Sequence, residues 1–180
     1  MKKFLTFLTL ALMIFFLTSP YGHAATGFYV GAGGSYAVEN FDNDDDFEGV
    51  DFDDSWGLNA KIGHHLHELL DIEFNFDYLD KFEGDAGADV EVMTYMLGLK
   101  GFFPIASEKV KLSVVAAGGL MYAEADSDDE TDGCAKFGLG FDYFLIQNFS
   151  AGIEGNYTLG FGKLDEIRYF NFTLGVAYHF

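Results

Sequence analysis

The chain is short of cysteine, of positive charge and of long apolar runs, and each shortage removes a class of protein. A single cysteine, Cys134, leaves no partner for an internal disulfide and no second thiol for a zinc or redox motif. It reads as a small residue near a strand end. Ten Lys and Arg stand against 29 Asp and Glu, a formal charge of -19. Phosphate backbones are held by Lys and Arg, so a nucleic-acid partner is excluded. The same acidity opposes adsorption to anionic headgroups unless divalent cations bridge the two. Beyond the first 24 residues no stretch resembles a spanning helix, which needs about 20 apolar residues.

What is present begins with an address. Lys2 and Lys3 form a basic start, residues 4–17 are almost wholly apolar, and Ser19 and Pro20 break the run. Gly22, His23 and Ala24 then offer small residues at the recognition positions. This pattern predicts a secretory signal peptide over 1–24, cleaved after Ala24, with the mature domain over 25–180. The apolar run is too short to span a bilayer, and no cysteine at the cleavage point offers a lipid anchor.

The mature chain alternates with a period of two, the mark of strands with two unlike faces. Phe170, Phe172, Leu174, Val176, Tyr178 and Phe180 share one face, opposite Asn171, Thr173, Gly175, Ala177 and His179. Residues 28–38, 55–63, 69–79, 91–103, 110–122, 136–145 and 149–161 repeat the pattern. Eight strands of roughly 9–13 residues could each cross a bilayer at a tilt. Their connections alternate: 39–54, 80–90, 124–133 and 162–167 are long or strongly polar, while 64–68, 104–109 and 146–148 are short. One rim with large loops and one with tight turns predicts an all-β fold, an eight-stranded antiparallel up-and-down transmembrane β-barrel. An even strand number puts both termini at the short-turn, periplasmic rim and the large loops outside.

A soluble barrel would bury the apolar face and wet the other. Here the second face is rich in Gly, Ala, Ser and Asn and carries charges of both signs, which suits a narrow lumen better than a wet exterior. Lys61, Lys100, Lys111 and Lys136 are expected to form a lumen charge network with Asp71, Glu73, Asp77, Asp142 and Glu154, because buried charges need partners. Eight strands enclose only enough space for side chains to fill, so a plugged interior is expected. Trp56, Tyr36, Tyr78 and Tyr122 near one end of the strands, and Tyr143, Tyr178 and Phe180 near the other, predict two interfacial girdles.

The last residues, 173–180, resemble the terminal assembly signal of outer-membrane barrels: Thr173, then Gly175, then Tyr178 and a final Phe180. The resemblance implies insertion by the barrel-assembly machinery, with periplasmic chaperones on the way. Residues 27–36 resemble the first strand of the small opacity-type and OmpA-like barrels of the porin family. With the eight-strand layout, the resemblance spans essentially all of 26–180 and implies an outer-membrane protein of a Gram-negative envelope. Its expected partners are outer-membrane lipid and lipopolysaccharide. No peptidoglycan-binding domain follows the barrel in this sequence, which departs from full-length OmpA-type proteins.

Candidate chemistry is sparse. The first outer connection holds Glu39, Asp42, Asp44, Asp45, Asp46, Glu48, Asp51, Asp53 and Asp54, and the third holds Glu124, Asp126, Asp128, Asp129, Glu130 and Asp132. Such carboxylates are hard ligands for Ca²⁺ or Mg²⁺, but Phe47 stands where a calcium loop needs glycine, so hydrated loops are expected rather than a metal site. His64, His65 and His67 fall in a short turn and His179 near the same rim, read as a polar periplasmic edge. No histidine lies on the outer rim, where a surface acyltransferase or phospholipase would need its Ser/His pair. The expectation is a protein with no catalytic residues, metal or cofactor, serving a structural or surface role such as adhesion to host or environmental ligands or envelope integrity. A small passive-diffusion porin is the alternative, and a surface lipid-modifying enzyme a more distant one.

Overall fold

The computed structural model describes residues 27–41, 52–84, 89–103, 109–125 and 128–180. The signal-peptide segment lies outside these, as do Asp42, Asp44, Asp45, Asp46, Glu48 and Asp51 of the first outer connection and Asp126 of the third. Eight strands follow in order: β1 (Phe28–Glu39), β2 (Ser55–His67), β3 (Leu70–Glu83), β4 (Asp89–Phe103), β5 (Val110–Ala125), β6 (Asp128–Ile146), β7 (Phe149–Gly160) and β8 (Arg168–His179). A 3₁₀ turn, Gly162–Leu164, precedes β8. Each strand pairs antiparallel with its neighbour, and β1 pairs with β8, so the sheet closes. Closure is what lets a sheet sit in hydrocarbon, because it leaves no row of unpaired backbone groups.

The two faces divide as the alternation predicts. The outer face exposes a continuous apolar band: Trp56 is 70% exposed, Leu174 69% and Leu139 66%. Leucine exposed to this degree and at this density is uphill in water and neutral in lipid. The inner face holds the buried polar set, among them Asn59, Asn75, Thr94, Ser113, Asn156 and Thr173.

Strand length departs from expectation. The strands run from 12 to 19 residues, beyond the roughly 9–11 that a bilayer crossing needs. The connection over 124–133, expected as the third outer loop, is mostly ladder: Tyr122 pairs with Thr131, Ala123 with Glu130 and Glu124 with Asp129. Acidic composition argued for a loop, but outside the bilayer a two-stranded ladder needs only its backbone bonds. The histidine turn is also misplaced. β2 continues to His67 and the turn shrinks to residues 68–69. A bulge between His65 and His67 shifts the register with β3, and the pairing runs on to His67 with Leu70.

The lumen has three levels. At the short-turn mouth sit Tyr29, His65, Ser150 and His179; the middle is charged. The third level, at the long-connection end, is an apolar plug of Leu79, Phe82, Val90, Val92, Met121 and Tyr169, joined by Phe41, Phe52, Leu164 and Ile167. That plug was not foreseen. Its inward residues lie at the strand ends, within or beside segments whose acidic neighbours read as loop.

Candidate functional site

The charged middle is built from alternate residues of β2 to β7. Lys136 and Asp77 are each about 1% exposed and form an ion pair. Asp77 also accepts from Asn59 Nδ2 at 2.8 Å and from Thr94 Oγ1 at 3.1 Å. Lys100 meets three carboxylates, Asp142 at 2.9 Å, Glu154 at 3.8 Å and Glu73 at 3.9 Å. Lys61 reaches Glu154 at 3.5 Å, and Glu154 accepts from Asn156 Nδ2 at 2.9 Å. Tyr29 donates its hydroxyl to Glu73. Its ring crosses the lumen over Gly63, where a Cβ would collide with it. Lys111 departs from the expected pairing. Among the described residues it meets no carboxylate and lies against the rings of Phe102 at 4.8 Å and Phe144 at 5.2 Å. Asp71 also stands apart from the lysines, and its partner is His65.

Sequence reasoning looked for a Ser/His pair at the outer rim; the structure brings one together at the opposite end. His179 Nε2 lies 3.0 Å from Ser150 Oγ, and His179 Nδ1 lies 3.4 Å from His65 Nε2. His65 Nδ1 is 2.6 Å from Asp71 Oδ1. The signal was legible in principle. His65, Asp71, Ser150 and His179 all fall on the inward parity of their strands, and extending β2 by two residues would have put His65 inside.

The long-connection end carries carboxylates and tyrosines. Tyr36 donates to Asp54, Tyr78 to Glu91 at 3.1 Å and Tyr122 to Glu124 at 3.3 Å. Lys81 pairs with Asp89 at 2.9 Å. Above its last rung with β7, β6 is tied to the β7–β8 connection. Lys163 Nζ reaches Glu130 at 2.8 Å, and Asp132 accepts from the backbone N–H groups of Gly133 at 2.7 Å and Lys163 at 3.1 Å. Gly162, at φ 63°, makes the sharp bend that aims the Lys163 amide at Asp132, where a side chain would meet the carboxylate. These two amides hold the Asp132 carboxyl below the usual carboxylate range. Among the described residues no group of three or more His, Cys, Asp or Glu is placed to hold a metal ion.

At the other rim the terminal residues alternate in the same way. Thr173 faces inward and shares a hydrogen bond with Ser35 at 3.0 Å, and Gly175 pairs with Gly33 of β1. Tyr178 faces outward, and Phe180 packs edge-on against it with centroids 4.9 Å apart. Phe180 N donates to Phe28 O at 2.9 Å, so the last residue is fixed to the start of β1.

Comparison with known proteins places this geometry. The family model described as "Outer membrane protein beta-barrel domain" matches residues 7–180. Among solved structures the chain is similar to Neisserial surface protein A, at 19% identity and TM-score 0.68, covering 85% of this chain and 97% of that one. It is similar to Ail, the attachment invasion locus protein of Yersinia pestis, solved with the heparin analogue sucrose octasulfate: 19% identity, TM-score 0.59, 86% and 99% covered. It is also similar to OprG of Pseudomonas aeruginosa, at 14% identity and TM-score 0.60, with 88% and 98% covered. No curated protein matches. Likeness at these identities extends to the fold.

Proposed function

The chain belongs to the outer membrane protein β-barrel domain family, and from that premise we propose that it is a non-enzymatic surface protein whose acidic outer ladder and connections meet a positively charged partner, while its lumen stays closed. The observation that carries this reading is the filling of the barrel. The charged middle pairs Lys136, Lys100 and Lys61 with carboxylates across the bore, and the apolar plug caps the level above it. A diffusive pore needs a continuous wetted path, and an eight-stranded bore filled at two levels offers none.

With the bore closed, the part available for interaction is what projects past the bilayer. Both termini lie in the periplasm in this reading, so the β5–β6 ladder and the three other long connections face outward. Their described carboxylates outnumber Lys81, Lys163 and Arg168, and the first two of these are already paired with Asp89 and Glu130. Ail was solved with a sulfated sugar; the acidic rim here repels such a ligand and favours basic surfaces, as adhesion to a cationic protein would use. The test is two measurements on one purified sample in lipid. Planar-bilayer recording is expected to show no stable nanosiemens step, and a stable step would turn the reading to a porin. Polylysine is expected to bind the outer face with steep salt dependence, and sucrose octasulfate not to bind; the reverse order would sink the adhesive reading.

A further inference from the structure

The short-turn mouth holds a hydrogen-bond chain that neither a plugged bore nor an acidic outer face requires. It crosses the β1–β8 seam from β3 to β7: Asp71 Oδ1 to His65 Nδ1 at 2.6 Å, His65 Nε2 to His179 Nδ1 at 3.4 Å, His179 Nε2 to Ser150 Oγ at 3.0 Å. The two imidazole planes are 6° apart with centroids 5.6 Å from one another. That separation is close to the N···N distance plus the two ring radii, so the rings meet edge to edge in nearly one plane, nitrogen toward nitrogen. This is the geometry of an N–H···N bond. A shared metal ion would sit about 2.0–2.1 Å from each nitrogen, and two nitrogens pointing straight at each other across 3.4 Å leave no room for it. An acyl substrate is excluded as well, because the cavity beside Ser150 is about 20 Å³, room for a water molecule.

Only an ordered set of protons satisfies the chain. An ionised Asp71 can accept and not donate, so His65 Nδ1 carries a proton. With both rings neutral, His65 Nε2 accepts from His179 Nδ1–H, and His179 Nε2 accepts from the Ser150 hydroxyl. Both histidines are then Nδ1–H tautomers. Now let one proton reach His179 Nε2. The proton on His179 Nδ1 crosses to His65 Nε2, His65 becomes the imidazolium beside Asp71, and His179 is neutral again as the Nε2–H tautomer. The Ser150 hydroxyl turns to accept. All three bonds survive. A second proton would set N–H against N–H in the middle and break the chain.

The surrounding charge favours the first proton. Within the spanning lumen Asp71, Glu73, Asp77, Asp142 and Glu154 face Lys61, Lys100, Lys111 and Lys136, one carboxylate more than the ammonium groups. From β1, Tyr29 packs on both rings, with centroids 5.2 and 5.1 Å away, and donates to Glu73 of β3. Lys61 of β2 pairs with Glu154 of β7, and Lys100 of β4 with Asp142 of β6. Lys111 of β5 lies on the Phe144 ring that in turn packs against His179. Among the described residues Asp71 is the one of these five carboxylates with no lysine partner, and an imidazolium at His65 supplies the missing charge. We infer that Asp71, His65, His179 and Ser150 form a proton-binding relay at the short-turn mouth that takes up one proton from that compartment by reversing the two hydrogen bonds of His179, with the barrel structure unchanged.

The test is ¹⁵N spectroscopy of ring-labelled histidines in the folded full-length barrel in lipid nanodiscs, followed against pH. Above the transition both His65 and His179 are expected as Nδ1–H tautomers. On acidification His65 should become the imidazolium and His179 should switch to Nε2–H with one shared midpoint. Asp71→Asn keeps the acceptor but removes the charge, and should move both changes together to lower pH by about one unit. The inference is overturned if His179 keeps its tautomer while His65 titrates, or if only one of the two changes moves in D71N. Heat-modifiable gel migration checks that the variant is folded; should it not fold, the wild-type tautomer switch alone decides the question.

Discussion

Lys136 is a residue whose value depends wholly on one neighbour. It is buried at the centre of the bore with Asp77, and Asn59 and Thr94 complete the shell around that carboxylate. Removing the ammonium strands a buried anion, so Lys136→Met is expected to cost about 3–5 kcal/mol in urea unfolding from lipid vesicles. Adding Asp77→Asn should recover most of the loss, since a neutral pair no longer has to be desolvated as ions. A double variant as unstable as the single would show that shape, rather than charge, holds this level. Gly63 makes a complementary case. Its missing side chain is the space the Tyr29 ring occupies on its way to Glu73. Gly63→Val should expel that ring and break the bond to Glu73, read as a change in tyrosine fluorescence with the barrel still folded.

Among the elements, the extended β5–β6 ladder has its own electrostatic hinge. Asp132 accepts from the Lys163 amide of the neighbouring connection as well as from the Gly133 amide of its own strand, and Lys163 holds Glu130, so two charges tie β6 to the segment before β8. The signs differ. The Asp132 carboxyl is lowered by its amides, so its contribution is present above the ordinary carboxylate range and is lost as pH falls through the lowered value. The Lys163 ammonium is raised by Glu130, so its contribution is present below the ordinary lysine range and is lost as pH rises through the raised value. Hydrogen exchange of the Lys163 amide should therefore be slowest between the two limits, after correction for intrinsic rates. Asp132→Asn should speed it wherever the Asp132 carboxyl is ionised and leave it unchanged below that range. The same ladder shows where sequence reading stopped. Faces were legible from Phe28 to His179 because lipid on one side and a crowded bore on the other enforce a period of two. Ends were not, because past the bilayer nothing selects for apolar residues, and Asp128–Thr131 look like loop while pairing as strand. The plug is less legible than the rest of the bore: Leu79, Val92 and Met121 face inward at strand ends whose neighbours are acidic. The histidine relay stayed hidden because a turn expected at 64–68 leaves His65 outside β2, which runs on to His67.

For the molecule as a whole, closure is redundant. Phe82→Ala should cost about 3–5 kcal/mol of stability by hollowing the plug, yet leave planar-bilayer conductance at background, because the charged level beneath still spans the bore. A conducting F82A protein would make the plug the sole gate. Assembly is the second whole-molecule property. In our reading Thr173, Gly175, Tyr178 and Phe180 form the assembly signal, and Phe180→Ala is expected to leave more chain in the unfolded gel form during membrane insertion, while barrels that do form keep normal urea stability. Equal loss of both would reduce Phe180 to a packing residue. The seam between β1 and β8 carries a further consequence, one of timing. Its rungs join opposite ends of the chain, from Tyr29 with His179 to Glu39 with Tyr169. Local hairpins can form as soon as two strands exist, but no rung of this seam can form before β8 has been made. Until then both terminal strands would present bare edges to hydrocarbon. Closing the barrel therefore waits on its last strand, so the joining of the first strand with the last is expected to be a late event of folding.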